Sequence, residues 1–374
     1  MPALADLLAG HARESDLCSR LPDGRIVCLA CGHRCPLPDG AVGVCKVRFN
    51  RGGRLFVPWD YVAGVQCDPI EKKPFFHAYP GALAYSFGML GCDLHCDYCQ
   101  NWVTSQALRD PAAVMTPAAA TPEQIARDAV TLGAQVVVST YNEPLITAEW
   151  GAAVFDAARA EGLRTAFVSN GNATPEVIER LRPRLDLYKI DLKSFDDRQY
   201  RRLGGRLAPV LESIRTLVAM GVWLEVVTLL IPGFNDTDEE IDALTSFLAD
   251  VSPDIPWHVT AFHRDYKMTA PGDTRPAALE RAAAIGARNG LNFVYAGNRP
   301  GEVGPLEDTR CPGCAATLIA RTGFSIREYR LTATGRCPNC DRAIPGRWAE
   351  RFSGQAASAP YRPASDGWIP LTSV

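Results

Sequence analysis

Eleven of the thirteen cysteines in this chain of 374 residues fall into three groups, and such grouping means that part of the fold is organised by what the thiols bind. The middle group is the most constraining. It reads Gly91-Cys92-Asp93-Leu94-His95-Cys96-Asp97-Tyr98-Cys99-Gln100-Asn101-Trp102, a Cys-x3-Cys-x2-Cys spacing. Three thiolates this close can hold three irons of a 4Fe–4S cube and leave the fourth iron without a protein ligand. An open iron can bind a small molecule, whereas a fully ligated cluster only passes electrons. The competing reading is a zinc site with His95 as fourth ligand.

Cys28, Cys31, Cys35 and Cys45 form the first group and Cys311, Cys314, Cys337 and Cys340 the last; Cys18 and Cys67 stand alone. The first ten residues lack a basic n-region and a long apolar run, so no signal peptide is expected, and no window is long and apolar enough to span a bilayer. Without export, grouped cysteines read as metal or catalytic sites in a reducing compartment, which predicts a cytoplasmic metalloprotein. A net charge of −3 gives no global electrostatic case for a nucleic-acid or membrane partner. Four thiolates at 28–45 close the coordination sphere of zinc or of an auxiliary iron–sulfur cluster. The Cys-Pro-x-Cys pairs at 311–314 and 337–340 read as a zinc ribbon, with a rubredoxin-like iron site sharing the same ligands.

Residues 1–80 are rich in Gly, Pro and Cys and predict a loop-rich module held by metal more than by a core. From 81 to 300 short apolar runs (82–90, 135–140, 164–169, 185–191, 222–231, 257–262, 291–296) alternate with amphipathic stretches (122–132, 147–161, 175–182, 209–220, 238–250, 275–289). Repeated strand–helix alternation predicts α/β architecture, a parallel sheet with helices outside. In such folds ligands sit at the C-terminal ends of strands, and the cysteine triplet follows the first run directly. A zinc-ribbon-like module over 301–352 and a flexible Ala/Ser/Pro/Gly-rich tail over 353–374 complete the expected organisation.

The triplet, with the aromatic Tyr98 before its last cysteine, resembles the signature of radical SAM enzymes, in which S-adenosylmethionine chelates the open iron and is cleaved to a 5′-deoxyadenosyl radical. Polar residues at the strand ends then read as its pocket. Asn142 and Glu143, in Thr140-Tyr141-Asn142-Glu143-Pro144, suit the methionine ammonium. Ser169 and Asn170 suit ribose hydroxyls or the carboxylate. Asp191 and Lys193 share a strand face, Gly233 lets backbone approach a planar ring, and His263 follows the sixth helix-flanked strand.

More closely, the chain resembles the pyruvate formate-lyase-activating-enzyme branch of the superfamily, and within it the radical SAM member of the AmmeMemoRadiSam system. Cys28–Cys35 with Gly43-Val44-Cys45-Lys46-Val47-Arg48, the string Asp68-Pro69-Ile70-Glu71-Lys72-Lys73-Pro74, Cys99-Gln100-Asn101-Trp102 and the paired C-terminal knuckles carry that likeness. Tyr-Asn-Glu-Pro stands where many relatives have Gly-Gly-Glu, and Arg264 follows His263 where Pro is expected. The resemblance implies a partial (β/α)6 TIM-like barrel, a 4Fe–4S cluster on Cys92, Cys96 and Cys99, and SAM near Tyr98, Asn142, Glu143, Ser169, Asn170, Asp191 and Gly233. His263 or Lys193 is placed near the substrate. A ferredoxin or flavodoxin would supply the electron. The substrate would be a glycyl residue of a partner protein or a small molecule made with operon neighbours. The rival expectations are radical SAM modification of RNA with the zinc ribbon as reader, and a non-enzymatic metal-binding scaffold.

Overall fold

Several helices of the alternating region start where the sequence supplies a cap. Thr121, Thr174 and Thr237 accept hydrogen bonds from the backbone N–H groups of Gln124, Val177 and Glu240, satisfying donors that the first turn leaves open. Pro122 and Pro175 occupy first-turn positions, where no intrahelical N–H is needed. Asp238, Glu239 and Glu240 place negative charge at the positive end of their helix.

A computed structural model describes residues 4–348 of the protein; the expected tail at 353–374 lies outside the described residues. Its large sheet has eight strands: β1 Gly64–Pro69, β2 Leu83–Gly88, β3 Val136–Ser139, β4 Arg164–Ser169, β5 Leu187–Asp191, β6 Trp223–Leu230, β7 Trp257–Ala261 and β8 Val294–Gly297. They lie side by side in chain order. β2 to β8 run parallel, and β1 pairs antiparallel with β2 in the register Gln66↔Ser86. The sheet is therefore mixed and eight-stranded, one strand more than the seven apolar runs and two more than the (β/α)6 barrel the resemblance implies, and it takes in residues upstream of 81. The helices Pro122–Thr131, Ala148–Ala160, Pro175–Leu181, Leu207–Ala219, Asp238–Val251 and Pro276–Arg288 connect successive parallel strands. Phe155 meets Phe87 and Phe167 edge-on at 6.4 and 6.0 Å, locking the second of these helices onto β2 and β4.

The N-terminal residues are less loop-like than their composition suggests. Ala12–Ser15, Arg54–Pro58 and Phe49–Arg51 form one small sheet; Cys18–Arg20, Ile26–Cys28 and Pro36–Leu37 form another. Their buried Leu17, Ile26, Leu37, Leu55 and Val57 belong to the same apolar cluster as Phe167 and Tyr188. Their strands are only two to five residues long, so no periodicity announces this core. These strands cover the C-terminal pole of the large sheet: Cys31 bridges Ala173, and Gly32 N donates to Asn172 O at 2.8 Å, both partners lying just beyond β4.

The C-terminal strands Thr309–Arg310, Thr317–Thr322 and Ser325–Tyr329 lie at the opposite pole. There Glu225, early in β6, accepts from His77 N at 2.9 Å and Phe76 N at 3.0 Å, and lies 2.7 Å from His258 Nε2. His77 bridges Pro345 O and the Tyr295 hydroxyl, and Arg321 donates to Phe76 O and Thr309 Oγ1. All of these side chains are buried, where polar atoms need partners; Arg321 Nε makes no hydrogen bond and faces Glu71 Oε1 at 3.9 Å.

Candidate active site

The loop after β2 is forced into one shape by its neighbours. Gly91 has φ +94°, and a Cβ there would stand 2.9 Å from Cys45 O and 3.0 Å from Val47 Cγ1. Only glycine fits between the N-terminal strands and the triplet loop. From this loop Cys92, Cys96 and Cys99 open onto a cleft of about 520 Å³, shared with Thr140, Asn142, Glu143, Ser169, Asn170, Asp191 and Lys193. Four strand ends thus converge on the thiols. Tyr98 is buried beside the cleft, edge-on to Phe234 at 5.8 Å in an apolar cluster with Leu94, Leu203 and Phe262.

The three sulfurs are not arranged for a single ion. A zinc–sulfur bond of about 2.3 Å puts tetrahedral ligands about 3.8 Å apart. Among the described residues, the one group of metal-ligating side chains whose atoms all lie within 4.8 Å of one another is Cys311, Cys314, Cys337 and Cys340, with sulfur pairs at 3.5 and 3.6 Å. The triplet is spread wider, and His95 is exposed with its backbone N–H on Leu203 O. Separate corners of a cube, each carrying its own thiolate outward, suit that spread. Ser105 Oγ lies 3.1 Å from Cys99 Sγ, and Leu94 N donates to Cys92 Sγ at 3.4 Å. Burial pushes the Cys96 thiol up to about 12, while Lys193 pulls the other way. A cation beside the sulfurs favours their ligating, deprotonated form.

Glu143 is held by neutral donors: Ser169 Oγ at 2.7 Å, Asn170 N at 2.8 Å and Leu145 N at 3.0 Å. Burial, and next the nearby Asp93, push its carboxyl up to about 8. A buried carboxylate held by uncharged donors suits an ammonium group. Asp93 accepts from Asn170 Nδ2 and Asn172 Nδ2, both at 2.7 Å. Asn142 Oδ1 accepts from Met89 N at 3.0 Å, tying β2 to the β3 turn. Asp191 pairs with Lys189 and lies 3.6 Å from Lys193 Nζ. Burial disfavours its charge, but these two lysines outweigh it and leave the carboxyl low.

Besides Tyr98, two expected residues stay outside the cleft lining. Gly233, at φ +75° with open space around a Cβ, donates to Asp236 Oδ1 and shapes a turn. His263 is exposed, with Nδ1 3.3 Å from Arg264 O and Nε2 2.9 Å from Nε2 of Gln100, the residue after Cys99. Asp93 and Asn172 were not singled out from the sequence as site residues. The signal was available: Asp93 sits between two candidate ligands, and Asn172 closes the polar string after β4.

Residues 88–248 match the model of the radical SAM superfamily. An uncharacterized protein of Methanocaldococcus jannaschii is 34% identical over 337 residues, covering 89% of this chain and 98% of that one. The benzylsuccinate synthase activating enzyme of Thauera aromatica is 36% identical over 74 residues, 20% of this chain and 22% of the relative. Among solved structures, a domain of the pyruvate-formate lyase-activating enzyme from Bacteroides vulgatus matches with a TM-score of 0.39 at 22% identity, covering 43% of this chain and 98% of that chain. Residues 88–248 are thus a radical SAM domain, and the chain is an enzyme of the radical SAM type. It shares one family with the M. jannaschii protein. A radical SAM domain implies a 4Fe–4S cluster and SAM.

Proposed function

We propose that Cys92, Cys96 and Cys99 hold the 4Fe–4S cluster and that Glu143, Asn170 and Asp191 bind SAM at its open iron, with Tyr98, Asn142, Ser169 and Gly233 supporting the pocket. The observation that carries this is the single cleft on which the three thiols and four strand ends converge. When bound, the reduced cluster and SAM supply a 5′-deoxyadenosyl radical that takes hydrogen from a substrate. The chain's own part is positional. Glu143 fixes the ammonium, Asp93 orients the amides of Asn170 and Asn172, and Lys193 balances the charge of the thiolates. His263 and Lys193 are the residues proposed to face the substrate, a glycyl residue of a partner protein or a small molecule made by operon partners. A ferredoxin or flavodoxin is the proposed reductant. The motif resemblance supports an AmmeMemoRadiSam-type enzyme, the cysteine usage a cytoplasmic one, and the paired knuckles zinc on the C-terminal four cysteines. No helix among the described residues is long and apolar enough to cross a membrane.

The alternative of an RNA substrate read by the C-terminal module has the geometry against it. That module holds Phe76 and His77, whose backbone N–H groups bind Glu225 early in β6, and the cleft opens at the other pole.

Anaerobic reconstitution followed by EPR of the dithionite-reduced protein, with and without SAM, tests the reading. A signal that shifts with SAM, together with chromatographically detected 5′-deoxyadenosine, is expected. A Cys99→Ala protein that still cleaves SAM at full rate would overturn the ligand assignment.

A further inference from the structure

We propose that Cys28, Cys31, Cys35 and Cys45 hold a second 4Fe–4S cluster, ligated at all four irons by the protein and set beside the radical SAM cleft.

The fold gathers these cysteines from the end of the strand Ile26–Cys28 and from the two loops that follow it. Cys28 N donates to Cys35 O at 3.0 Å, and Arg34 N closes a turn onto Cys31 O at 3.0 Å. Gly43 lies against two of the thiols: a Cβ there would stand 3.6 Å from Cys45 Sγ and 3.7 Å from Cys35 Sγ. Cys28, Cys31 and Cys45 are buried, Cys35 is half-buried, and none is in a disulfide. Four gathered, buried thiols point to a metal centre, and their spacing selects its kind. No three of these sulfurs lie within 4.8 Å of one another, whereas the C-terminal four do. They fail the single-ion criterion just as the radical SAM triplet does. A cube suits them and a lone zinc does not.

The surroundings suit a buried anionic cluster. Arg48 Nε donates to Cys28 Sγ at 3.2 Å. Its other nitrogens are fixed by Glu149 at 2.7 and 2.8 Å and by Ile146 O at 3.1 Å, and the side chain is only 1% exposed. Hydrogen bonds to cluster sulfurs are one of the levers by which a protein sets a cluster's potential. The position is equally specific. His33 Nε2 is 3.1 Å from Asp93 O, and Gly32 N binds Asn172 O, whose side chain holds Asp93, the neighbour of Cys92. With four protein ligands this cluster exchanges single electrons and offers no iron to SAM.

The test is metal analysis and EPR on the full-length chain, purified anaerobically and analysed before and after reconstitution. About eight irons and about one zinc per chain are expected. The Cys92→Ala/Cys96→Ala/Cys99→Ala protein should keep about four irons and a reduced signal that SAM leaves unmoved. Cys31→Ala/Cys35→Ala should also keep about four irons, with a signal that SAM shifts. About four irons and two zincs in the wild-type chain, or an iron-free triple variant, would overturn the proposal. If the variants aggregate, a SAM titration of the wild-type protein decides. Part of the reduced signal must stay unshifted at saturation, and a complete shift rejects the second cluster. Loss of the SAM response with the unshifted signal retained would reject the radical SAM ligand assignment while leaving this one standing.

Discussion

A methyl group on Gly32 would stand 2.3 Å from Asn172 Oδ1, closer than any real contact, so the N-terminal strands and the loop beyond β4 fit only because residue 32 has no side chain. Asn172 in turn donates to Asp93, between two candidate cluster ligands. Gly32→Ala is therefore expected to cost about 1–3 kcal/mol through overpacking and to weaken SAM binding by displacing Asp93. Gly272→Ala, with nothing within 4 Å, serves as the neutral control. Thermal unfolding and SAM affinity measured on both variants check this; equal behaviour would show that the Asn172 loop yields freely.

Glu143 gives the metal-free protein a pH dependence of known sign. Its carboxyl is raised to about 8 in the folded chain against an ordinary 4.5. The folded state holds a proton that the unfolded chain has already released, so this group makes stability fall as pH rises across that window. Glu143→Gln should flatten the fall. Melting temperatures of wild type and variant across the window give the answer, and parallel curves would mean that Glu143 does not titrate there.

Arg48 and Glu149 form a buried bidentate pair, with side chains 1% and 9% exposed. Arg48→Met leaves a buried carboxylate uncompensated and is expected to cost about 3–5 kcal/mol, while Arg48→Met/Glu149→Met should recover much of the loss. Denaturant unfolding of the three proteins measures it; a single variant as stable as wild type would show that Glu149 finds another partner or a proton.

Arg321 is fully buried, with hydrogen bonds to Thr309 and Phe76 and its guanidinium 4.3 Å from the Phe76 ring. Arg321→Met should lower the melting temperature while SAM still shifts the cluster signal. Loss of that shift at a temperature where the variant remains folded would tie the two poles together.

The seven parallel strands were legible because each is a short apolar run and amphipathic stretches separate them, and the candidate site was legible because polar strings follow those runs directly. β1 escaped notice because Gly64–Pro69 offers only one large aliphatic residue, Val65, beside Gly, Gln and Asp. The helix Asp197–Arg202 escaped because it buries Tyr200 alone and shows no apolar stripe. Gly233 was read as a ring-facing glycine, but a positive φ in a turn demands the same residue. The N-terminal cysteines could not be sorted between zinc and iron–sulfur from spacing in sequence, since both take four thiolates; that choice depends on sulfur separations, which only the fold supplies.

An arc of parallel strands that does not close has two loose ends, here β1 and β8, and can breathe by letting them splay. The segment that follows β1 and the strand β8 itself are both fastened to the C-terminal module, through Phe76 and His77 on one side and Tyr295 on the other. That module works as a clasp at the foot of the arc. It touches none of the chemistry, yet it limits how far the mouth at the far end can gape.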